Sequence, residues 1–436
     1  MGHLTASGNE YNILQQRLHQ KVQDNPCSPT LMKILQLLFS PADAALAGKL
    51  PHKLTPVSAL AKSLKIPLAE LNGKLTEMAH RGLVFDMECN GRRYVTLPPV
   101  VIGLFEFVFM RARPDLPQAE LAQLFEVYFT ENDGAFAKSI SGGQTQLART
   151  FVVEETLPET DQAEILDWER ASQIVASATA IGVGMCQCHH IAQHLGRACN
   201  KPPEVCLSFN YAAASMVKNG LTRAITKDEA MRILEKAKEA NLIQIGDNFQ
   251  RQVSFICNCC GCCCAMLRGL KTYNLNKGVA SSNWIMAVNE ARCKGCGECV
   301  KVCPVAAIGL ESREAEGKKQ KLAVRKAEVC LGCGLCTEVC KSGGATMQAR
   351  PQRVLAPETI FDQRVTMAIE RGKLADMLFD DPEKLSHRAL GRIMAALEKS
   401  SPYQALMAAE AIKSTFLRVL VTGAKIQAGG LARFLT

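Results

Sequence analysis

Residues 293–304 read CKGCGECVKVCP, and residues 330–341 read CLGCGLCTEVCK. Both are copies of one pattern, C-x2-C-x2-C-x3-C, and the organisation of the chain turns on how these eight thiols are read. Three cysteines on a tight glycine-containing loop wrap three irons of one cubane. The fourth starts a helix, points the other way and so ligates a second cluster. On that logic Cys293, Cys296, Cys299 and Cys340 bind one 4Fe–4S cluster, and Cys330, Cys333, Cys336 and Cys303 bind another. Gly295, Gly297, Gly332 and Gly334 allow the loop geometry and the close approach of backbone amides to sulfide. Paired C-x2-C motifs also suit zinc, but eight cysteines in this doubled order favour iron and sulfide.

The repeat resembles the bacterial two-cluster ferredoxin family over about 65 residues. The match includes IMAVNEARC before the first motif and AAIGL after it, both expected strands. There are two departures. The second motif ends in Cys340-Lys341 rather than Cys-Pro, which leaves ligation intact but loosens the turn. The charged insert ESREAEGKKQK (311–321) lengthens the hairpin between the motifs. The resemblance implies a βαβ-repeat module over 284–350 that passes single electrons at low potential and does no bond chemistry.

A second cysteine region lies upstream. Residues 257–264 read CNCCGCCC, six cysteines in eight positions, and MCQCHHIAQHLGRACNKPPEVC (185–206) precedes them. Adjacent thiols point in different directions and pack poorly, so such density needs a metal or a reactive role. The candidates are Cys186, Cys188, Cys199, Cys206, Cys257, Cys259, Cys260, Cys262, Cys263 and Cys264. Thiolates select iron–sulfur and zinc, so this region is read as one or two further iron–sulfur clusters. Zinc and a centre of free thiols are the alternatives, and spacing alone does not fix the pairing. His189, His190 and His194 are read as hydrogen-bonded, half-buried side chains ahead of metal ligands. A capping box at Thr226 and Glu229 opens a helix over 227–240. Strands at 205–209 and 242–245, one on each side of it, are expected to bring the two strings together as one metal-holding unit. The layout CxCHH…H…C…P…VCLSF, then ITKDEA, then ICNCCxCCC, resembles an uncharacterised group of ferredoxin-like proteins from anaerobic microbes. The likeness covers most of 150–345, with Gln244 where that group often carries histidine.

Ahead of these cysteines, 31–39 has helical periodicity and 55–84 reads as helix, turn, helix, with Leu60, Ala61, Leu64, then Leu68, Leu71, Leu75 and Met78 at helical spacing. Gly82 ends the second helix. LVFDMECNGRRYVTLP (83–98) reads as a hairpin around Asn90-Gly91. Three helices and a hairpin resemble the winged-helix family. Two helices follow, at about 99–112 and 117–131, and SISGGQTQ (139–146) reads as a linker. Expected strands and helices further on include 151–157 and 162–180. From 357 the pattern is all-helical, with Leu390, Ile393, Met394 and Leu397 on one face and Ala409, Ile412, Phe416 and Leu420 on another. The expected fold class is α+β multidomain. It comprises a winged-helix-like part with helices (1–135), a Cys-rich metal-binding domain (150–283), the ferredoxin module (284–350) and a helical C-terminal region (351–436).

The exposed face of the second helix carries Glu70, Asn72, Lys74 and Glu77, and the hairpin offers Arg92 and Arg93 as the best phosphate contacts. Residues 49–97 hold eight Lys/Arg against four Asp/Glu, a mild excess for a groove binder. A protein-docking or homodimer role is therefore preferred over DNA. The chain of 436 residues has 20 cysteines and a formal charge of +9, which two dianionic clusters would bring to about +5. No apolar run is long enough for a membrane span, and the polar N-terminus lacks a signal-peptide pattern, so a reducing cytoplasm is the expected compartment. No nucleotide-binding glycine loop is present. The reading is an electron-transfer component working with a redox partner protein, rather than a stand-alone enzyme. A redox-sensing transcription regulator, or a reductase or activator with its catalytic centre in the Cys-rich region, are the alternatives.

Overall fold

A computed structural model describes residues 9–157, 165–315, 318–381, 384–408 and 419–420. Helices and several small sheets are mixed throughout, an α+β arrangement. The chain forms two compact units, one of residues 1–145, 214–222 and 358–436, the other of 146–213 and 223–357.

In the first unit, helix Pro29–Leu38 starts where Ser28 Oγ accepts the Leu31 N–H at 3.1 Å. Helix Pro41–Ala47 starts with a reciprocal box between Ser40 and Asp43, so each helix satisfies backbone donors that would otherwise be orphaned. The periodicity at 55–84 resolves into helices Val57–Leu64 and Leu68–His80. Leu60, Ala61, Leu71, Leu75 and Met78 are buried, whereas Leu68 is exposed at the N-terminal edge of its helix. Strands Phe85–Cys89 and Arg92–Thr96 pair antiparallel about Asn90 (φ 50°) and Gly91 (φ 68°), the left-handed pair that a two-residue hairpin turn requires. Thr55–Pro56 adds a third strand to the Arg92–Thr96 edge.

Arg93 does not point to solvent as a free phosphate contact. Its guanidinium is 2.9 Å from the Asp86 carboxylate and donates to Thr76 Oγ1 at 2.9 Å, tying the hairpin to helix Leu68–His80. Asp86 is wholly buried and also accepts from Asn219 Nδ2 at 2.8 Å.

Of the two helices expected next, the first is short, Phe105–Phe109, after an irregular turn at 100–104. The second runs as Gln118–Ser141, broken at 131–134, where Asn132, Asp133 and Gly134 take positive φ. The break folds its second half back, so that Phe136 lies 4.4 Å from Tyr128 and the Phe105 ring stacks on Phe125 at 4.0 Å. The region read as a linker therefore begins as helix.

Helices Ile360–Glu370, Leu374–Leu378, Leu385–Glu398 and Ser401–Ala408 close this unit. Arg371 donates to the carbonyls of Val22, Ser139 and Ile140, and Asp380 accepts from the His52 and Lys53 amides at 2.9 and 3.1 Å. Leu390, Ile393 and Leu397, expected on a core face, are exposed. The buried anchor of their helix is Glu398, whose carboxylate accepts from the Leu374 and Ala375 amides at 2.9 and 3.0 Å. Of the second expected stripe, Ala409, Ile412 and Phe416 lie outside the described residues.

The second unit is built on a six-stranded antiparallel sheet. Its order is Ala148–Thr150, Ile243–Asp247, Phe255–Cys259, Cys206–Phe209, Ile181–Gly184 and Arg223–Ala224. Helices Ala171–Ser177 and Lys227–Glu239 cover it through Ile174, Val175, Ala230 and Leu234. The Thr226 cap is present, its hydroxyl accepting the Glu229 N–H at 3.2 Å. Strands 206–209 and 243–247 do not pair with each other. The Cys-rich strand Phe255–Cys259 lies between them and pairs with both. The stretch 151–157 is not a strand but an irregular run with a 3-10 turn at Glu154–Thr156. Its Phe151 amide donates to Gln244 O at 3.0 Å and its Val153 amide to Cys333 O at 3.0 Å, joining the sheet to the second cysteine loop. Of the helix expected at 162–180, the described part is a 3-10 turn at Asp167–Glu169 and the helix Ala171–Ser177.

The doubled motif completes the unit. Strands Trp284–Val288 and Ala345–Ala349 pair antiparallel, as do Ile308–Ala315 and Lys318–Arg325. The described residues of the charged insert, 311–315 and 318–321, thus extend these two strands. Among the described residues no helix is long and apolar enough to cross a membrane.

Candidate metal centres

The two loops of the doubled motif are near copies. Each ends at a glycine with positive φ, Gly297 (80°) or Gly334 (87°), which caps a short helix, Glu298–Val302 or Leu335–Glu338. Two other loop glycines, Gly332 and Gly295, are required by close contact as well as by positive φ. A Cβ at Gly332 would run into the Trp284 carbonyl, and one at Gly295 into the Lys321 carbonyl.

The fourth cysteine of each motif crosses to the other loop. The thiols whose charge bears on Cys299 are those of Cys340, Cys293 and Cys296. Those bearing on Cys333 are Cys336, Cys303 and Cys330. Cys303, Cys330, Cys333 and Cys336 line one cavity together with apolar side chains such as Met286 and Met347. Burial pushes the Cys336 thiol up to about 12, with Cys330 and Cys303 beside it adding to the rise. A cavity that gathers four thiols and disfavours bare thiolate suits a group that brings its own positive charge.

Backbone amides point at the sulfurs, as expected for cluster ligands. Ala307 N–H donates to Cys303 Sγ at 3.2 Å and Ala345 N–H to Cys340 Sγ at 3.2 Å. The turn after Cys340, which lacks the usual proline, is closed instead by Gly343 N–H to Cys340 O at 3.0 Å, with Ser342 Oγ 3.6 Å from the sulfur.

Among the ten upstream thiols, expected to hold metal as one unit, the structure picks out one tighter set, while Cys186 of the remaining six still lies beside Cys260. Cys199, Cys260, Cys262 and Cys263 form a tight set whose sulfurs all lie within 4.8 Å of one another. Cys260, Cys262 and Cys263 come from the turn that follows strand Phe255–Cys259, and Cys199 arrives from the loop after helix Gln187–His194. The other six are strung out more loosely. Cys264 neighbours Cys188 and Cys259, and Cys257 neighbours Cys206 and Cys259. Cys186 caps helix Gln187–His194, with Cys257, Cys264 and Cys260 as its charged neighbours. Cys257 and Cys259 project from one face, and Cys260 opens the turn beyond.

Within the loose group, Cys264 caps helix Ala265–Thr272. Its thiol is drawn below the ordinary range by hydrogen bonds from Cys188 and Cys259, then by the Leu267 and Met266 amides of that helix. The histidines serve as supports. His189 Nε2 is 2.7 Å from Cys199 O, and the His190 and His194 rings stack at 4.9 Å. One contact was not legible beforehand. Gly261, between Cys260 and Cys262, packs on the Pro304 backbone so closely that a Cβ would lie 2.5 Å from Pro304 O. The cysteine-rich turn therefore abuts the segment that carries Cys303. A lone glycine inside a cysteine run was the only signal for it.

The family model for the 4Fe-4S dicluster domain matches residues 292–344. No curated protein and no solved structure matches the chain. Residues 292–344 are thus an iron–sulfur, ferredoxin-like segment with at least one 4Fe–4S cluster, beside further cysteines able to bind metal.

Proposed function

We propose that this chain is an electron-transfer component that holds two 4Fe–4S clusters in residues 292–344 and exchanges electrons with a redox partner protein. Cys293, Cys296, Cys299 and Cys340 hold one cluster, and Cys330, Cys333, Cys336 and Cys303 hold the other. The observation that carries this reading is the cavity lined by Cys303 together with the three cysteines of the opposite motif. Bound clusters of this type accept and release single electrons. The chain's own part is to exclude water with apolar side chains such as Met286 and Met347, and to aim the Ala307 and Ala345 amides at ligand sulfurs. Donors to the sulfurs raise the potential relative to bare thiolates.

The loose group of Cys186, Cys188, Cys206, Cys257, Cys259 and Cys264 forms a further metal centre on this reading. It lies in the same compact unit as the two clusters. The winged-helix-like part is a docking or dimer module rather than a DNA reader. Its hairpin Arg93 is committed to Asp86, and Lys74 on the exposed helix face is paired with Glu70 at 2.6 Å.

The test is anaerobic reduction of the full-length protein followed by electron paramagnetic resonance. Two magnetically interacting 4Fe–4S clusters are expected, and zinc in place of iron within 292–344 would end the reading. Binding to genomic DNA fragments at moderate salt is expected to show no selected sequence in either redox state.

A further inference from the structure

We infer that Cys199, Cys260, Cys262 and Cys263 form a mononuclear tetrathiolate centre that takes one zinc ion, separate from every iron–sulfur cluster of the chain. The sulfur separations carry the assignment. Cys199 Sγ lies 3.7 Å from Cys260 Sγ and 3.7 Å from Cys263 Sγ, and Cys262 Sγ lies 3.9 Å from Cys263 Sγ. Four thiolates placed tetrahedrally at about 2.3 Å from one ion are about 3.8 Å apart along each edge. The set is therefore already close to the shape of a single-ion site.

A cubane asks for something else. It places a separate iron behind each thiolate, so its four sulfurs stand at the corners of a larger tetrahedron. The same unit provides the control. Among the described residues, the cysteines of 292–344 form no such mutually close set, although the 4Fe-4S dicluster model matches there.

The surroundings suit an ion held by thiolates. Cys263 N–H donates to Cys260 Sγ at 3.3 Å, and the Lys201 amide points at Cys199. His189 holds the Cys199 carbonyl at 2.7 Å and so fixes the loop that delivers the fourth sulfur. No carboxylate or histidine belongs to the set, which leaves soft ligands only. For one such site, zinc outcompetes ferrous iron in the general order of divalent affinities. Each bound zinc displaces the thiol protons into solvent. The ion changes no oxidation state, so it clips the loop before Cys206 to the turn at 260–263. That turn is the one whose Gly261 rests on Pro304.

The experiment is zinc analysis and zinc-edge X-ray absorption on the full-length protein, prepared anaerobically with zinc and iron both supplied. About one zinc per chain is expected at this site, with four sulfur neighbours at about 2.3 Å. Cys199→Ser should lower zinc retention against a chelator roughly tenfold or more, leaving iron and sulfide unchanged. Cys262→Ser, at an exposed position, should do the same with less risk to folding, the retained iron reporting a folded chain. Cobalt added to the zinc-stripped protein should show the absorption of a tetrahedral tetrathiolate. Iron at this site, with or without sulfide, overturns the inference, as does zinc that neither variant releases.

Discussion

In residues 293–340 each set of four thiols is assembled from two loops, three cysteines from one and a fourth from the other. At 260–263 three thiols of the tight set come from a single turn, and Cys199 alone is imported. The first construction leaves a cavity beside Cys303, Cys330, Cys333 and Cys336 that apolar side chains such as Met286 and Met347 line. The second draws the sulfurs within 4.8 Å of one another. Cysteine density alone marks both regions as able to bind metal. Sulfur separation says how many metal atoms the thiols can surround. On the readings proposed above, two regions of one compact unit take the same residue type to different chemistry.

The contrast breaks most readily at the crossed ligands. Cys303→Ala is expected to remove about four of eight irons in the ferredoxin segment, from the cluster built by Cys330, Cys333 and Cys336. Cys340→Ala should remove the other set instead. Iron and sulfide counts on the full-length variants check both, and loss from the motif that contains the mutated residue would refute crossed ligation. Next in size is Gly332→Ala. Its positive φ of 71° and the collision with the Trp284 carbonyl should cost about 2–4 kcal/mol of stability in chemical denaturation. A change below about 0.5 kcal/mol would mean that the loop is not held as described.

Two smaller effects test whether the first unit stands apart from the metal chemistry. Arg93→Ala leaves the buried Asp86 carboxylate to Asn219 and Lys218. It should cost about 1–3 kcal/mol with metal content unchanged. Loss of iron from that variant would contradict the division of roles. Asp43 gives the smallest effect. Burial would raise its carboxyl, but hydrogen bonds from Arg81 and Ser40 prevail and hold it below the ordinary value. Its contribution is therefore present above the ordinary carboxylate range and is lost as pH falls through the lowered value. About 0.5–1 kcal/mol should disappear below pH about 4 in the wild type and not in Asp43→Asn.

The doubled motif was legible because cluster geometry dictates spacing over short stretches of chain. The hairpin at Asn90-Gly91 was legible for a similar reason, since its turn needs two left-handed residues in sequence. The central sheet was harder. Strand Phe255–Cys259 looked like part of a ligand run, and its place between 206–209 and 243–247 depends on pairings that local pattern does not encode. Arg93 read as a surface cation because its partner, Asp86, sits across the hairpin and is recognisable only once the strands pair. Leu390, Ile393 and Leu397 have core periodicity, yet a buried Glu398 anchors their helix instead. The tighter set among the ten upstream thiols was half legible. Period two puts Cys257 and Cys259 on one face, but nothing in the sequence says that Cys199 reaches the turn beyond them.

The measurement that bears most directly on the account is iron and sulfide analysis of the anaerobically purified full-length protein, paired with resonance spectra of its reduced form. At least about eight irons and eight sulfides per chain are expected, with signals from two interacting 4Fe–4S clusters that become a single isolated signal in Cys303→Ala. Four irons or fewer in the wild type, or reduced spectra that Cys303→Ala leaves unchanged, would contradict it.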